Sequence, residues 1–293
     1  GAVGGALVSS LDEYRALHER SLADPEGFWG ELAGELEWFT PWTKVREWTL
    51  PDARWFVGGK TNLCHNCVDR HVIAGHGDEL AILWEGEPMP GGEPLVRRLT
   101  YRDLQVETAR LASALSKLGV KKGDVVTIYM GMVPELAIAL LACARMGAVH
   151  SVIFGGFAAQ AIADRMEDAS SRIVLTSDGA WRRGSLVNLK ATVDEATGLT
   201  KRIEKVLVLK RTGQQIAWDS ARDVWWDEAV AAGDPTFPCA AMDAEDMLFL
   251  LYTSGSTGKP KGIQHTTGGY MVFTYATSKY VFNLKPGAKQ LHW

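Results

Sequence analysis

Residues 125–154 read VVTIYMGMVPELAIALLACARMGAVHSVIF, and the alternation inside this stretch decides the fold class. Val125 to Met130 is a β-branched, apolar run of strand length. Pro134 to Met146 carries apolar residues at helical spacing. It opens on a proline, whose missing N–H costs nothing in a first turn. Val149 to Phe154 reads as a second strand. Strand, helix and strand in such quick succession make a βαβ unit, whose parallel strands are buried on both faces.

The rhythm extends outward in both directions. Upstream, Leu80 to Trp84 predicts a strand, and Thr100 caps a helix from Tyr101 to Leu118, with Asp103 in its first turn and Gly119 as its stop. Downstream, Ala158 to Asp168 predicts a helix, and Ile173 to Ser177, Val206 to Leu209 and Met247 to Tyr252 predict strands. The expectation is an α/β fold, layered, with a largely parallel sheet flanked by helices over residues 79–293. Residues 1–78 are expected to be a helical and irregular segment packed on it. There Ser10 and Glu13 have capping-box spacing, with Leu11, Tyr14, Leu17, His18 and Leu22 as a helical stripe. Asp24-Pro25 starts a second helix with Phe28, Trp29, Leu32, Leu36 and Phe39 on its apolar face, and Pro41 to Asp78 shows no period. Arg211 to Ala244 reads as polar and loop-like. Leu291-His292-Trp293 reads as the start of another strand, so a domain that continues past it is expected.

Composition narrows the function. With 46% hydrophobic and 23% charged residues, the chain has ample material for a core and is not a disordered sequence. A net charge of −4 gives no broad attraction to nucleic acid or anionic membrane, so neither is expected as a partner. The longest apolar stretch, Leu136 to Ala144, falls far short of the roughly 20 residues a membrane span needs. Cys64, Cys67, Cys143 and Cys239 are too few for a disulfide framework in a chain this long, which points to a reducing compartment, the cytoplasm. Cys64, Cys67, His71 and His76 have zinc-like spacing, but no second cysteine pair follows, so packing is the expectation and no metal site is assigned. Cys143 reads as core. The tryptophans before residue 60 read as packing residues, and Glu26, Glu31 and Glu35 as a solvated face.

The chemistry is carried by Thr253-Ser254-Gly255-Ser256-Thr257-Gly258-Lys259-Pro260-Lys261-Gly262, directly after the strand Met247 to Tyr252. Glycines let backbone N–H groups converge on an anion, hydroxyls add donors, and Lys259 and Lys261 add charge. Against a solvated Gly/Ser loop stand the hydroxyl density, the preceding strand and the two lysines. Phosphate-binding candidates are therefore Thr253, Ser254, Gly255, Ser256, Thr257, Gly258, Lys259 and Lys261. The loop is no Walker A, because only two residues separate Gly255 from Gly258 and Pro260 follows Lys259.

At this loop the sequence resembles the adenylate-forming superfamily of acyl-CoA synthetases, luciferases and peptide-synthetase adenylation domains. The family's loop, Ser/Thr-Gly-Ser/Thr-Thr-Gly-x-Pro-Lys-Gly, fits Ser254 to Gly262 throughout. Other blocks resemble the acetyl-CoA synthetase branch: Trp55 to Lys60, Asn66 to His71, Trp84 to Pro88, Ala142 to Ala148, Phe154-Gly155-Gly156-Phe157 and Lys210-Arg211-Thr212-Gly213. The resemblance implies the large N-terminal domain of that fold, incomplete and without its small C-terminal domain. It implies ATP, Mg²⁺ as the phosphate partner, and coenzyme A (CoA) as a substrate. The loop would contact the β- and γ-phosphates.

The Phe-Gly-Gly-Phe turn and a nearby basic segment would approach the 3′-phosphate end of CoA, which maps onto Phe154, Gly156, Arg182, Arg183, Gly184 and Ser185. Here the sequence departs from the family: Ser185 stands where a second basic residue is the rule. The implied reaction is acetate plus ATP to acetyl-adenylate and pyrophosphate, then thioester formation with release of AMP. Propionate as the acid, or a non-catalytic nucleotide- or CoA-binding module, are the alternatives. No catalytic residue or magnesium ligand is assigned, and this chain alone is expected to be inactive.

Overall fold

The structure is a computed structural model that describes residues 5–88, 91–253 and 260–284. Its elements run α1 (Leu11–Ala23), α2 (Pro25–Ala33), β1 (Lys44–Thr49), β2 (Asp52–Val57), β3 (Lys60–Thr61), β4 (Leu80–Glu85), β5 (Val96–Thr100) and α3 (Tyr101–Lys117). Next come β6 (Val125–Tyr129), α4 (Pro134–Met146), β7 (Val149–Val152), α5 (Ala159–Asp168), β8 (Ile173–Ser177), β9 (Ala180–Arg182), β10 (Ser185–Val187) and α6 (Leu189–Leu199). The last are β11 (Lys205–Leu209), β12 (Asp223–Trp225), α7 (Trp226–Ala231), β13 (Met242–Asp243), β14 (Met247–Thr253), β15 (Lys261–Thr266) and α8 (Thr267–Ala276). The strand expected at Leu291 to Trp293 lies outside the described residues. No helix among the described residues is long and apolar enough to cross a membrane.

The chain divides into two compact units, one of residues 1–61, 242–246 and 266–293, the other of residues 62–241 and 247–265. In the first, Ser10 Oγ accepts from Glu13 N, but the Glu13 carboxylate turns to Ser9 N and Oγ, so the cap is one-sided. The expected stripe of α1 stays outside: Leu11, Tyr14 and Leu22 are exposed. Asp24 caps α2 through Gly27 N at 2.9 Å. Trp38, Trp42 and Phe56 pack with ring centroids 4.9–5.5 Å apart. Gly268 N donates to Ala244 O at 2.8 Å, an approach that a Cβ on Gly268, 2.8 Å from Ala244 Cβ, would obstruct.

Residues 41–78 are more regular than their sequence suggests. They hold the antiparallel hairpin β1–β2, with Arg46 opposite Trp55, and π-helical turns at His65–Asp69 and Val72–His76. The hairpin is exposed over much of both faces and a π-turn lacks the 3.6-residue period, so neither leaves a periodic signature.

The second unit is built on a seven-stranded, mostly parallel sheet in the order β12-β11-β8-β6-β7-β14-β15. Helices flank it, as expected. Tyr129, Val174, Val206 and Val208 face α5 and α6, meeting Ile162, Met166, Leu189 and Val193 in one cluster. The alternate residues Val126, Ile128, Leu175 and Leu207 are also buried, so the strands are covered on both sides. Starting from β6, the chain places β7 on one flank and β8, β11 and β12 on the other. That reversal between β6 and β8 is a doubly wound switch point, and ligands in such sheets bind outside the carboxyl ends of the strands there.

Candidate functional site

Three connections leave the carboxyl ends of β6, β7 and β8 side by side. An ideal Cβ on Gly155 would lie 3.4 Å from Met130 O, and one on Gly131 would lie 3.0 Å from Ala180 Cβ. A side chain at 131 would need Ala180 to shift by a few tenths of an ångström, while the connection at 155 packs at contact distance. Tyr129, closing β6, donates its hydroxyl to Phe157 O at 3.1 Å, which ties the switch point to the turn after β7.

That turn carries Phe154, which is 61% exposed, with the Arg182 guanidinium 5.1 Å over its ring. Gly156 lies under the same guanidinium: a Cβ there would sit 3.1 Å from Arg182 Nη1. Arg182 ends β9, Ser185 opens β10 opposite it, and Arg183 and Gly184 form the two-residue turn between them. Both turn residues have positive φ, 52° and 72°, the type I′ pattern whose twist suits a hairpin. Phe154, Gly156, Arg182, Arg183, Gly184 and Ser185 thus come together on one exposed patch.

The phosphate-loop candidates are placed in part. Thr253 ends β14 and Lys261 opens β15, both exposed, while Ser254, Gly255, Ser256, Thr257, Gly258 and Lys259 lie outside the described residues. The base of the loop is braced. The Tyr252 ring lies against Gly262, where a Cβ would be 3.2 Å from Cε1, and the Tyr252 hydroxyl donates to Asp168 Oδ2 at 2.6 Å. Burial and that hydrogen bond push the phenol above its usual range. Arg165, on α5, sets its guanidinium 5.6 Å from the Tyr252 centroid and 4.6 Å from that of Phe157. One buried cation therefore serves both the strand leading to the loop and the Phe154–Phe157 turn.

Sequence reading missed a second set of residues beside the patch. Asp178 is buried after β8 and accepts backbone N–H groups from Gly179, Arg211, Thr212 and Gly213 at 2.7–3.2 Å. This clasp sets Arg211, whose guanidinium lies 5.2 Å over the Trp84 ring and donates to Glu87 O at 3.4 Å. The Glu87 carboxylate in turn accepts from Gly184 N at 3.1 Å. Arg211 and Glu87 fall in blocks the family resemblance marked. Sequence spacing gave them no role, because Arg211 meets Glu87 across 124 positions and Glu87 meets Gly184 across 97.

The stretch with zinc-like spacing has a different geometry from its spacing. Among the described residues, Cys64, Asp69 and Cys239 offer three donor atoms within 4.8 Å of one another. Asp69 is already paired with Arg145, at 2.8 and 3.0 Å, and Arg145 Nη1 lies 3.6 Å from Cys64 Sγ. Burial raises the Asp69 carboxyl, but the bonds from Arg145 and Gln105 outweigh it and hold Asp69 below the usual range. A thiol-rich group facing a guanidinium does not fit Mg²⁺, which takes oxygen ligands. Cys143 is fully buried, and burial pushes its thiol up to about 12, as suits a core residue.

Two family models match the sequence. That of the AMP-binding enzyme covers residues 70–293, and that of the acetyl-coenzyme A synthetase N-terminus covers residues 14–67. Among curated proteins, the acetyl-coenzyme A synthetase of Rhodopirellula baltica is 50% identical over 290 residues, which is 98% of this chain and 43% of that protein. Those of Streptomyces avermitilis and Vibrio cholerae are 52% and 50% identical, over 96% and 94% of this chain and 42% of each relative. The chain thus spans less than half the length of these relatives. A doubly wound sheet, a Ser/Thr-Gly-rich sequence after β14 and a family match over most of the length agree: the chain belongs to the AMP-binding enzyme family.

Proposed function

We propose that this chain is part of an AMP-forming acetate–CoA ligase, in which acetate and ATP give acetyl-adenylate and pyrophosphate, and CoA then takes the acyl group as AMP leaves. The observation that carries the reading is the convergence of two anion-suited elements at the carboxyl edge of one sheet. One is the strand that feeds the Ser/Thr-Gly-Lys sequence, the other the arginine-bearing patch around Phe154. Residues 253–259 and Lys261 would hold the β- and γ-phosphates, with backbone N–H groups and lysine charge aimed at the leaving pyrophosphate. Phe154, Gly156 and Arg182 would take the adenosine 3′-phosphate end of CoA, with ring stacking on one side and a forked guanidinium for the phosphate. Mg²⁺ would arrive with the nucleotide as its phosphate partner. The names and identities of the relatives support acetate over other acids.

The test is acid-dependent release of AMP from ATP and CoA by the native polypeptide that carries this sequence, with propionate alongside acetate. AMP formed mainly with acetate is the expected result. ADP, or nucleotide release indifferent to the acid, would refute the ligase reading.

A further inference from the structure

We propose that Arg211 is a direct contact for the 3′-phosphate of CoA and supplies the cation that Ser185 does not. The inference rests on the reading of the Phe154–Arg182 patch as the CoA site. Ser185, short and uncharged, stands across the hairpin from Arg182. Arg211 reaches the same hairpin by another route, through Glu87. The Glu87 backbone carbonyl accepts from Arg211 Nη2, and its carboxylate Oε1 accepts from Gly184 N. Arg211 and the Arg182–Ser185 hairpin are thus joined through Glu87.

Two features make Arg211 more than a surface charge. Its backbone is fixed, since Asp178 accepts the N–H groups of Arg211, Thr212 and Gly213. Its guanidinium is oriented, since it lies 5.2 Å over Trp84, just as Arg182 lies 5.1 Å over Phe154. A planar cation stacked on a ring keeps its N–H edge free for an anion and loses little rotamer freedom on binding.

The probes are CoA and dephospho-CoA, which differ only in the 3′-phosphate, titrated calorimetrically into the native polypeptide carrying this sequence. The parent protein is expected to bind CoA more tightly. Arg211→Gln should cut the CoA to dephospho-CoA affinity ratio about tenfold, the scale of one charge-assisted bond, and leave dephospho-CoA binding unchanged. Arg211→Lys should restore part of the ratio. An unchanged ratio in Arg211→Gln, with a reduced ratio in Arg182→Gln, would overturn the role of Arg211 and keep the CoA site. Equal weakening of both ligands would also overturn it, assigning Arg211 to positioning through Glu87. A parent protein that binds both ligands equally would overturn the CoA reading itself, and the inference with it.

Discussion

Asp178→Asn tests how the loop that carries Arg211 is held. The carboxylate accepts from four backbone donors: Gly179, Arg211 and Thr212 reach Oδ1, and Gly213 reaches Oδ2 at 2.7 Å, with Thr212 also near Oδ2. An asparagine of the same shape has one acceptor oxygen. Its best orientation keeps the three bonds at the Oδ1 position and turns an NH₂ group toward Gly213 N. The three retained bonds weaken from charged to neutral, by about 1 kcal/mol each, and the fourth becomes a donor facing a donor, at about 1–3 kcal/mol. At least about 4 kcal/mol of local stability should be lost. The readout is amide hydrogen exchange, in which each 1.4 kcal/mol is about a tenfold change in protection. The amides of Arg211, Thr212 and Gly213 should exchange about a thousandfold faster, capped by their protection in the parent protein, while α4 stays as it was. Acceleration below tenfold at Gly213, or equal acceleration in α4, would refute the clasp.

His150 and Arg145 give two more predictions. Burial pushes the His150 imidazole down to about 4. The unfolded chain takes up that proton near pH 6.5 and the folded chain does not, so stability should fall as pH drops from about 6.5 to 4, by up to about 3 kcal/mol in total. His150→Phe, which keeps a ring against Phe249, should flatten that part of the pH profile of urea unfolding; parallel profiles would count against it. Arg145→Met should cost about 3–5 kcal/mol, because Asp69 is left buried and charged and Phe237 O loses its donor. Adding Asp69→Leu should recover much of that loss, and a double-mutant cycle by denaturant titration that finds the two costs simply additive would contradict the pairing.

What the sequence discloses follows from which residues are buried on both sides. The strands at 125–129 and 173–177 and helix α4 were legible because their apolar runs have strand or helix length and end at Gly or Pro signals. The hairpin β9–β10 was not: its strands have three residues each, and its turn is Arg183-Gly184, with an arginine where asparagine or aspartate would signal positive φ. Helix α8 opens Thr267-Gly268-Gly269, glycines that speak against a helix until the close approach to Ala244 explains the first of them. Of the candidate site, the proposed ligand contacts other than Arg211 were visible as local motifs. The residues that hold them were not. Asp178, Glu87 and Arg165 act across tens of positions, through backbone amides or ring faces, which leave no spacing to detect.

The Asp178 clasp has a consequence for how this corner can change over generations. Its partners are backbone amides, which every residue except proline possesses. The loop keeps its shape whichever side chains stand at 211 and 212, whereas Gly213, at φ 73°, is tied to its identity. Mutation can therefore sample charge, size and reach at those two positions without unfolding the support beneath them. The fold separates the platform from the fingertips, and selection on ligand preference can act on the fingertips alone.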